Sequence, residues 1–495
     1  MASAGRELRE EDVGVLTILI ALGLLMYLAY RGITLLILAP AMAILAAALS
    51  GGLPLFAAYT QIFMSNMGDF IIAFFPLFLL GAIFGKLMDD SGAAKSIADA
   101  IIRWLGAEQA ILAVVLCCAV LTYGGVSLFV VAFAIYPVAA SLFRDADIPK
   151  RLIPASMALG AFTFTMSALP GSPAIQNAIP MPFFGTTAFA APGLGIIAAV
   201  IMLTFGIWWL SRQLALAHSG NEGYGNHDDA VPESDLEIRE GALRDGYDIR
   251  ELEHDRSQQA ALPTFASAIA PVIAVVLVNF LFVQFIVPLM DASYLSQPKF
   301  GSTDIDAVRG VWAIIAALLA AILLLVALNW SRFESLQASL DQGANASVLP
   351  IANTASLVGF GAVIAALPAF QTISEALVSL GEANPLMSLA VAVNILSAVT
   401  GSASGGMSIA LEALGPTYVQ LAEAQNISLE AMHRVTSISS GALDTLPHNG
   451  AVITVLSICK LNHKQSYRDM FVVAIVGPMI ALACIILLAS LFGGF

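Results

Sequence analysis

The most constraining feature of this sequence is a series of apolar runs, each about as long as a bilayer is thick. A helix needs roughly 20 apolar residues to cross the hydrocarbon core of a membrane. Runs of about that length lie near residues 13–30, 33–49, 70–88, 186–211, 263–289, 310–329, 348–367 and 468–492. Residues 314–328 are apolar on every face, which favours helices over the alternating strands of a membrane barrel. The sequence therefore predicts an all-α polytopic membrane protein.

The composition excludes most other classes of protein. Hydrophobic residues make up 59% of the 495-residue chain and charged residues 11%, against about 25% charged residues in an ordinary soluble domain. The net charge of −14 argues against a nucleic-acid partner. The four cysteines show no CxxC spacing, so we expect buried free thiols, no metal site and no cofactor.

One segment is unlike the rest of the chain. Residues 219–260 hold twelve acidic residues against four arginines and contain no apolar run. Such a composition is typical of a solvated linker. We place an acidic linker at 213–262, and it separates a first half at 1–212 from a second at 263–495.

The two halves are similar to each other. An amphipathic stretch at 97–106 resembles one at 373–381, and each is followed by a Gly/Ser-rich break and then by a Leu-Pro pair. Gly124 lies 46 residues before Pro170, and Gly401 lies 46 residues before Pro447. Matching order and spacing indicate an internal repeat.

The breaks divide each half into the same elements. Apolar stretches of about 15 residues flank Gly124-Gly125 and are too short to cross a membrane at 1.5 Å per residue, so we expect a re-entrant hairpin there. The first half then has scaffold spans at 13–88, an arm at 91–106, a hairpin at 107–143, a broken span at 150–184 and a span at 186–212. The second half has scaffold spans at 263–367, an arm at 369–382, a hairpin at 385–424, a broken span at 428–460 and a span at 468–493. Five crossings per half give the halves opposite orientations, which is the inverted repeat of many secondary transporters.

Lysines and arginines set the predicted orientation in the cell's inner (plasma) membrane. The predicted topology has ten crossings. Outside the linker, it places twelve lysines and arginines on one face of the membrane and five, including Arg434, on the other. The positive-inside rule then puts the linker in the cytoplasm and both termini outside. His433 is one of five histidines that we expect to be solvated.

Four breaks at membrane depth predict one polar cavity, because irregular backbone survives there only where protein or water satisfies it. Helix N-termini pointing into such a cavity suit an anion. Ser172 is expected to cap a helix that has Pro173 at its first position, and Asn449 is the equivalent cap. The candidate substrate-binding residues are Thr122, Gly124, Gly125, Ser127, Gly171, Ser172, Asn177, Ser402, Ser404, Gly405, Thr445, His448 and Asn449.

Ionisable residues in the breaks are candidates for proton coupling. Asp444 and His448 flank the second broken span, and Glu412 in the second hairpin is a weaker candidate. For Asp444 and His448 the alternative is a hydrogen bond that fixes the helix end. Residues 401–405 read Gly-Ser-Ala-Ser-Gly, which resembles the G-x-S-x-G pattern of serine hydrolases without placing a serine at its centre, and that motif also requires a strand before its turn. Apolar helices flank it here, so we do not expect an enzyme.

These motifs resemble the gluconate permease (GntP-type) family of the ion-transporter superfamily. The resemblance is carried by residues 169–177, 183–190, 444–450 and 464–469. It implies a homodimer with a fixed scaffold and a transport domain that moves as an elevator. It further implies proton symport of small hydroxy-acids such as 3-hydroxybutyrate. The hairpin tips at 123–127 and 401–405 lack the Ser-Asn-Thr motifs of the sodium-coupled dicarboxylate branch.

Together, these observations predict a secondary active transporter that imports a small hydroxy-carboxylate, of the gluconate or 3-hydroxybutyrate type, with a proton. Two alternatives stay open. One is a sodium-coupled transporter of di- or tricarboxylates, and the other is an anion channel of similar architecture. Only a transporter is expected to concentrate its substrate and to saturate.

Overall fold

The computed structural model describes residues 2–31, 33–51, 53–227, 262–447 and 449–495. All regular secondary structure in these ranges is helical, as the apolar runs predict. Most of the acidic linker lies outside the described residues, and so does His448.

Within the described ranges, six helices are long and apolar enough to cross a membrane. They are Leu55–Asp90, Pro192–Ser219, Phe265–Leu289, Ile305–Arg332, Leu336–Ala365 and His463–Phe492. Two further helices, Ala2–Tyr30 and Leu35–Ser50, lie at the first two predicted spans. The third span is much longer than the predicted run at 70–88, because a π-helical turn at Ala58–Phe63 continues into the helix that follows.

Helical hairpins occur at both predicted positions. The first consists of Ala110–Tyr123 and Leu128–Asp145, and the second of Pro385–Thr400 and Ala403–Ala424. The tip of the first is a turn of four residues, whereas only Gly401 and Ser402 separate the helices of the second. The amphipathic helices Ala93–Leu105 and Phe370–Ala383 precede the hairpins, as the predicted arms do.

Both predicted broken spans are interrupted. Only in the second span does the helix after the break start at the predicted cap residue. The first consists mainly of Ile153–Ala161, Phe164–Ser167, Ile175–Ala178 and Pro180–Phe184, and the second of Leu429–Ala442 and Gly450–Ile458. Asn449 caps its helix as predicted, with its side chain accepting from the Val452 N–H over 3.1 Å. The predicted cap at Ser172 is wrong, because the helix starts later and Ala174 occupies the cap position. The Ser172 carbonyl oxygen accepts from the Asn177 side-chain amide at 2.9 Å, and the Ser172 hydroxyl accepts from the Ala174 N–H at 3.3 Å.

The halves repeat one another's packing. In each half the arm contacts the first helix of its own hairpin, and that helix contacts the first part of its own broken span. Leu35–Ser50 packs on Val348–Ala365 in the same way that Ile305–Asn329 packs on Met64–Asp90. This matched packing supports the two-repeat interpretation. The opposite orientation of the repeats and the sides of the linker and termini remain predictions.

The hairpins and broken spans form the interior of the molecule. Almost every side chain of Ile153–Ala161 and Leu429–Ala442 is buried, whereas Phe265–Leu289 presents most of its length outward. The breaks therefore lie in the centre of the fold, surrounded by longer apolar helices.

Candidate substrate-binding site

Both hairpin tips and both breaks meet at one central cavity of about 240 Å³. The hairpins contribute residues 122, 125–128 and 400–404, and the broken spans contribute 166, 173–176, 444 and 449–451. The remaining wall comes from the long helices, through residues such as Leu77, Leu318 and Thr354. The cavity is below the ~300–1,000 Å³ of sites for drug-sized ligands, so its size suits a small metabolite.

Each hairpin tip is tied to the break of its own repeat. In the second repeat, the Asn449 side-chain amide donates to the Gly401 carbonyl over 2.9 Å. In the first repeat, the Tyr123 hydroxyl donates to the Pro170 carbonyl over 2.7 Å. Gly125 adopts a left-handed φ of 93°, and a Cβ there would lie 2.9 Å from Pro173 Cγ. The tips and breaks therefore form one continuous wall.

The described polar groups that line the cavity are neutral, apart from Asp444. Hydroxyls come from Thr122, Ser127, Thr354, Thr400, Ser402 and Ser404, and amides come from Gln176, Asn353 and Asn449. Three of these groups have no hydrogen-bond partner among the described residues: the Thr122 hydroxyl, the Gln176 carbonyl oxygen and the Asn353 amide nitrogen. Buried polar atoms are nearly always paired, so three unpaired polar atoms among the lining residues are a feature expected of a site that binds a polar ligand.

Two of the helices that begin at the cavity have a side-chain cap. Ser402 caps Ala403–Ala424 by accepting from the Gly405 N–H at 3.1 Å, and Asn449 caps Gly450–Ile458. The unsatisfied N–H groups and the positive end of the helix dipole favour an anion at such positions. Direct contacts to an anion here would come from these N–H groups and from neutral side chains, since no Lys, Arg or His is found among the described lining residues.

Asp444 is the only ionisable residue among the described residues that line the cavity. A carboxylate in a cavity built for an anion repels the ligand unless it is neutralised. A smaller compartment of about 30 Å³ adjoins it and includes Asp444, Gln176, Thr445 and Asn449 in its wall. That volume holds one water or one small ion.

The structure brings seven of the fifteen predicted site residues to the cavity. Those that line it are Thr122, Gly125, Ser127, Ser402, Ser404, Asn449 and Asp444. Thr445 lines only the smaller compartment. Glu412 is half-buried on the second hairpin but lies outside the lining of both. His448 is not among the described residues.

Five predicted residues support the wall from behind. Gly124 packs against Val272, and Gly405 supplies the N–H that Ser402 caps. Gly171 and Ser172 are buried within the first break, where the Gly171 N–H donates to the Ala188 carbonyl over 2.8 Å. Asn177 is fully buried and donates to the carbonyls of Ser172 and Ala188 at 2.9 and 3.0 Å.

Sequence reasoning missed the contribution of Asn353 and Thr354. They lie on Val348–Ala365, and the Thr354 hydroxyl is 3.5 Å from that of Ser404. Adjacent polar residues in an otherwise apolar span are a signal that could have found them. Gln176 and Thr400 were missed as well.

The prediction that His433 is solvated is wrong, and Arg434, one of the cations that the predicted topology places on one membrane face, does not lie at the surface of the protein either. Both side chains are fully buried. His433 contacts the Thr186 hydroxyl at 2.6 Å and Asn177 Oδ1 at 3.2 Å. The reason is tertiary, because this face of Leu429–Ala442 packs against the first broken span.

Outside the cavity, Arg151 joins the start of the acidic linker to the helical core. Its guanidinium donates to both carboxylate oxygens of Glu222, at 2.7 and 3.1 Å, and to Asp469 at 2.6 Å. The Trp209 indole N–H also donates to Asp469, at 3.1 Å. The hydrogen bonds and charge of Arg151 lower the pKa of Glu222.

Comparison with known proteins agrees with this architecture. The family model described as a citrate transporter (CitMHS) matches residues 15–333. The chain is 44% identical over 484 residues to the uncharacterized transporter YxjC of Bacillus subtilis (strain 168), covering 97% of this chain and 99% of that protein. The crystal structure of the Alcanivorax borkumensis YdaH transporter, described as having an unusual topology, is similar with a TM-score of 0.52. It is 15% identical and the match covers 88% of this chain and 89% of that one, so this likeness concerns the fold alone.

Proposed function

This chain belongs to the citrate transporter family and is a multi-pass membrane transporter; from that premise we propose that it imports a small carboxylate by proton symport. The observation that carries the proposal is the central cavity, in which Asp444 is the only ionisable group among the described lining residues. The hydroxyls and helix N-termini around it suit a carboxylate, provided that Asp444 is neutral when the anion is bound.

A proton on Asp444 meets that condition and also solves an energetic problem. Moving one elementary charge across a membrane potential costs about 2.3 kcal/mol per 100 mV. A monocarboxylate entering an inside-negative cell faces that cost, and one co-transported proton removes it. A 3-hydroxybutyrate- or gluconate-type substrate follows from the resemblance to the gluconate permeases, and a citrate-type substrate follows from the family match.

An elevator movement is the mechanism we propose. The hairpin tips and breaks are hydrogen-bonded to one another, whereas the opposite wall comes from the long helices Leu55–Asp90, Ile305–Arg332 and Leu336–Ala365. Sliding of the hairpins and broken spans along these helices would carry the bound substrate across. A homodimer, which the resemblance implies, would anchor the long helices.

Sodium coupling is a second candidate, and the small compartment beside Asp444 favours it. Its oxygen-bearing residues Asp444, Gln176 and Thr445 are of the type that bind hard cations. A sodium ion there would neutralise the carboxylate as a proton does. The geometry is compatible with either ion.

Uptake into proteoliposomes tests the proposal. Labelled 3-hydroxybutyrate, gluconate and citrate would each be offered with an acid-outside pH gradient, with a sodium gradient, or with neither. We expect saturable accumulation with the pH gradient alone, and none in liposomes without protein. Accumulation only with sodium would replace the proton by sodium, and flux that never exceeds equilibrium would indicate a channel.

A further inference from the structure

Arg434 is a fully buried guanidinium with no carboxylate partner among the described residues. Its five N–H donors are all used. Nε donates to the Ala190 carbonyl at 3.1 Å, Nη1 to the Ser167 carbonyl at 3.2 Å and to Asn177 Oδ1 at 3.0 Å, and Nη2 to the carbonyls of Ala188 and Ala190 at 3.4 and 2.7 Å. Every acceptor is neutral. Glu430, one turn earlier on the helix, is exposed and accepts from the Ala191 N–H.

These bonds join the two repeats across the first break. Arg434 belongs to the second broken span, whereas Ser167 precedes the break of the first broken span and Asn177 follows it. The helix Pro192–Ser219 also leaves room for the guanidinium. A Cβ at Gly195 would lie 3.2 Å from Arg434 Nε and 2.4 Å from the Ala168 carbonyl oxygen.

Burying a guanidinium whose hydrogen-bond acceptors are all neutral is costly, and a break can be held together without a buried cation. The spacing from Gly124 to Gly401 equates Arg434 with Met157 of the first repeat. Because methionine is uncharged, the second break has no cation at the equivalent position. Asn449 holds that break instead, by capping the helix that follows it. The positive charge is an addition that only one repeat carries.

We propose that Arg434 is a positioning residue whose fixed positive charge attracts the substrate anion into the cavity without touching it. This inference rests on the proposed function, since it assumes an anionic ligand. Two of the bonded residues, Ser167 and Asn177, are chain neighbours of Met166 and Gln176, which line the cavity. The guanidinium therefore lies just behind the wall. Because its donors are all occupied, it acts on the ligand through its field.

The expected size of the effect is calculated for a separation of about 10 Å between the guanidinium and the anion. A unit charge at about 10 Å, with the effective dielectric constant of about 20 that describes protein sites, changes the affinity for a monovalent anion by about tenfold. A trivalent anion such as citrate responds more strongly than monovalent 3-hydroxybutyrate. A purely structural role would affect both ligands equally.

The test is direct binding of 3-hydroxybutyrate and citrate to the purified protein by calorimetry. Arg434→Gln removes the charge, Arg434→Lys keeps it while losing most of the hydrogen bonds, and Arg434→Met installs the side chain of the first repeat. We expect Kd to rise about tenfold for 3-hydroxybutyrate, and further for citrate, in the Gln and Met variants. The Lys variant should bind nearly as wild type although it melts at a lower temperature. Lys150→Gln, which removes another buried cation, should leave Kd unchanged.

The outcomes separate this inference from the proposed function. If the wild type binds the anions but does not transport them, the proposed function is wrong. The binding measurements on the Arg434 variants still test the inference in that case. Equal losses of affinity in the Lys and Gln variants, or equal losses for the two ligands, would show a structural clip and overturn the inference. Absence of anion binding by wild type would overturn it as well. If either Arg434→Gln or Arg434→Met does not fold, the other neutral variant is compared with Arg434→Lys.

Discussion

The side-chain amide of Asn449 donates to the carbonyl oxygen of Gly401 over 2.9 Å, while its oxygen caps the helix Gly450–Ile458. One residue thus ties a hairpin tip to the break of a broken span. Gly401 adopts a left-handed φ of 62°, which directs the chain from one hairpin helix to the next. The shape of the cavity at this point depends on both the nitrogen and the oxygen of the Asn449 side-chain amide.

Substitution of Asn449 can separate those two roles. Asn449→Ala removes the cap and the link, so we expect a stability loss of about 1 kcal/mol from the cap together with a raised KM. Asn449→Ser keeps a capping oxygen but loses the amide donor, so KM should rise while stability is largely retained. Transport kinetics in proteoliposomes and melting in detergent measure the two effects. Wild-type KM in both variants would remove Asn449 from the site.

Asp444→Asn tests the coupling carboxyl. The amide cannot exchange a proton, so uptake driven by a pH gradient should fall by more than tenfold. Exchange of internal for external substrate needs no net proton movement and should be largely retained. Both rates are measured in the same proteoliposomes. Equal loss of the two would point to a role in binding or structure.

Ser404→Ala and Ser172→Ala form a matched pair. Ser404 lines the cavity, so its substitution should remove one hydrogen bond to the substrate. A hydrogen bond contributes about 1 kcal/mol, which corresponds to a roughly fivefold increase in KM. Ser172 is fully buried behind the wall, so its substitution should leave KM within twofold of wild type. A raised KM for Ser172→Ala alone would mean that the first break rearranges when substrate binds.

Gly125→Ala tests the backbone at the first hairpin tip. The left-handed φ disfavours any side chain by about 1–2 kcal/mol, and the added Cβ would contact Pro173 closely. We expect a lower melting temperature and impaired transport. Gly68→Ala is the control, because nothing lies within 4 Å of a Cβ there and alanine is favoured in a helix. Equal melting temperatures for the two variants would contradict the assigned geometry.

Glu222→Gln tests the attachment of the linker. Because Arg151 lowers the pKa of Glu222 in the folded protein, the ionised carboxylate stabilises the fold above its ordinary pKa. That stabilisation is lost as the pH falls through the lowered value. Wild type should therefore melt above the variant at pH 7, and the gap should close in acid. The side chain is partly exposed, so the gap is small, and a gap that widens in acid would refute the assignment.

Hydropathy and local turn residues were sufficient to predict much of the fold. The apolar runs predicted the long helices, and Gly401 and Asn449 predicted a hairpin tip and a helix start. These features depend on a few neighbouring residues, since a bilayer demands an apolar helix and a break demands a cap. The cap expected at Ser172 failed because the helix starts later and the Ser172 carbonyl oxygen accepts from the Asn177 side chain, a contact that the symmetry of the repeats does not reveal.

The sequence by itself determined that this chain is a helical membrane protein with two similar halves and polar breaks at corresponding positions. Only the tertiary structure decided which polar side chains meet. It brought Asn353 and Thr354 to the cavity, placed Asn177 behind the wall and buried Arg434 among carbonyl oxygens. The physical reason is that hydropathy and helix starts are local properties. Which face of a helix meets a cavity depends on the packing of helices that lie far apart in the chain.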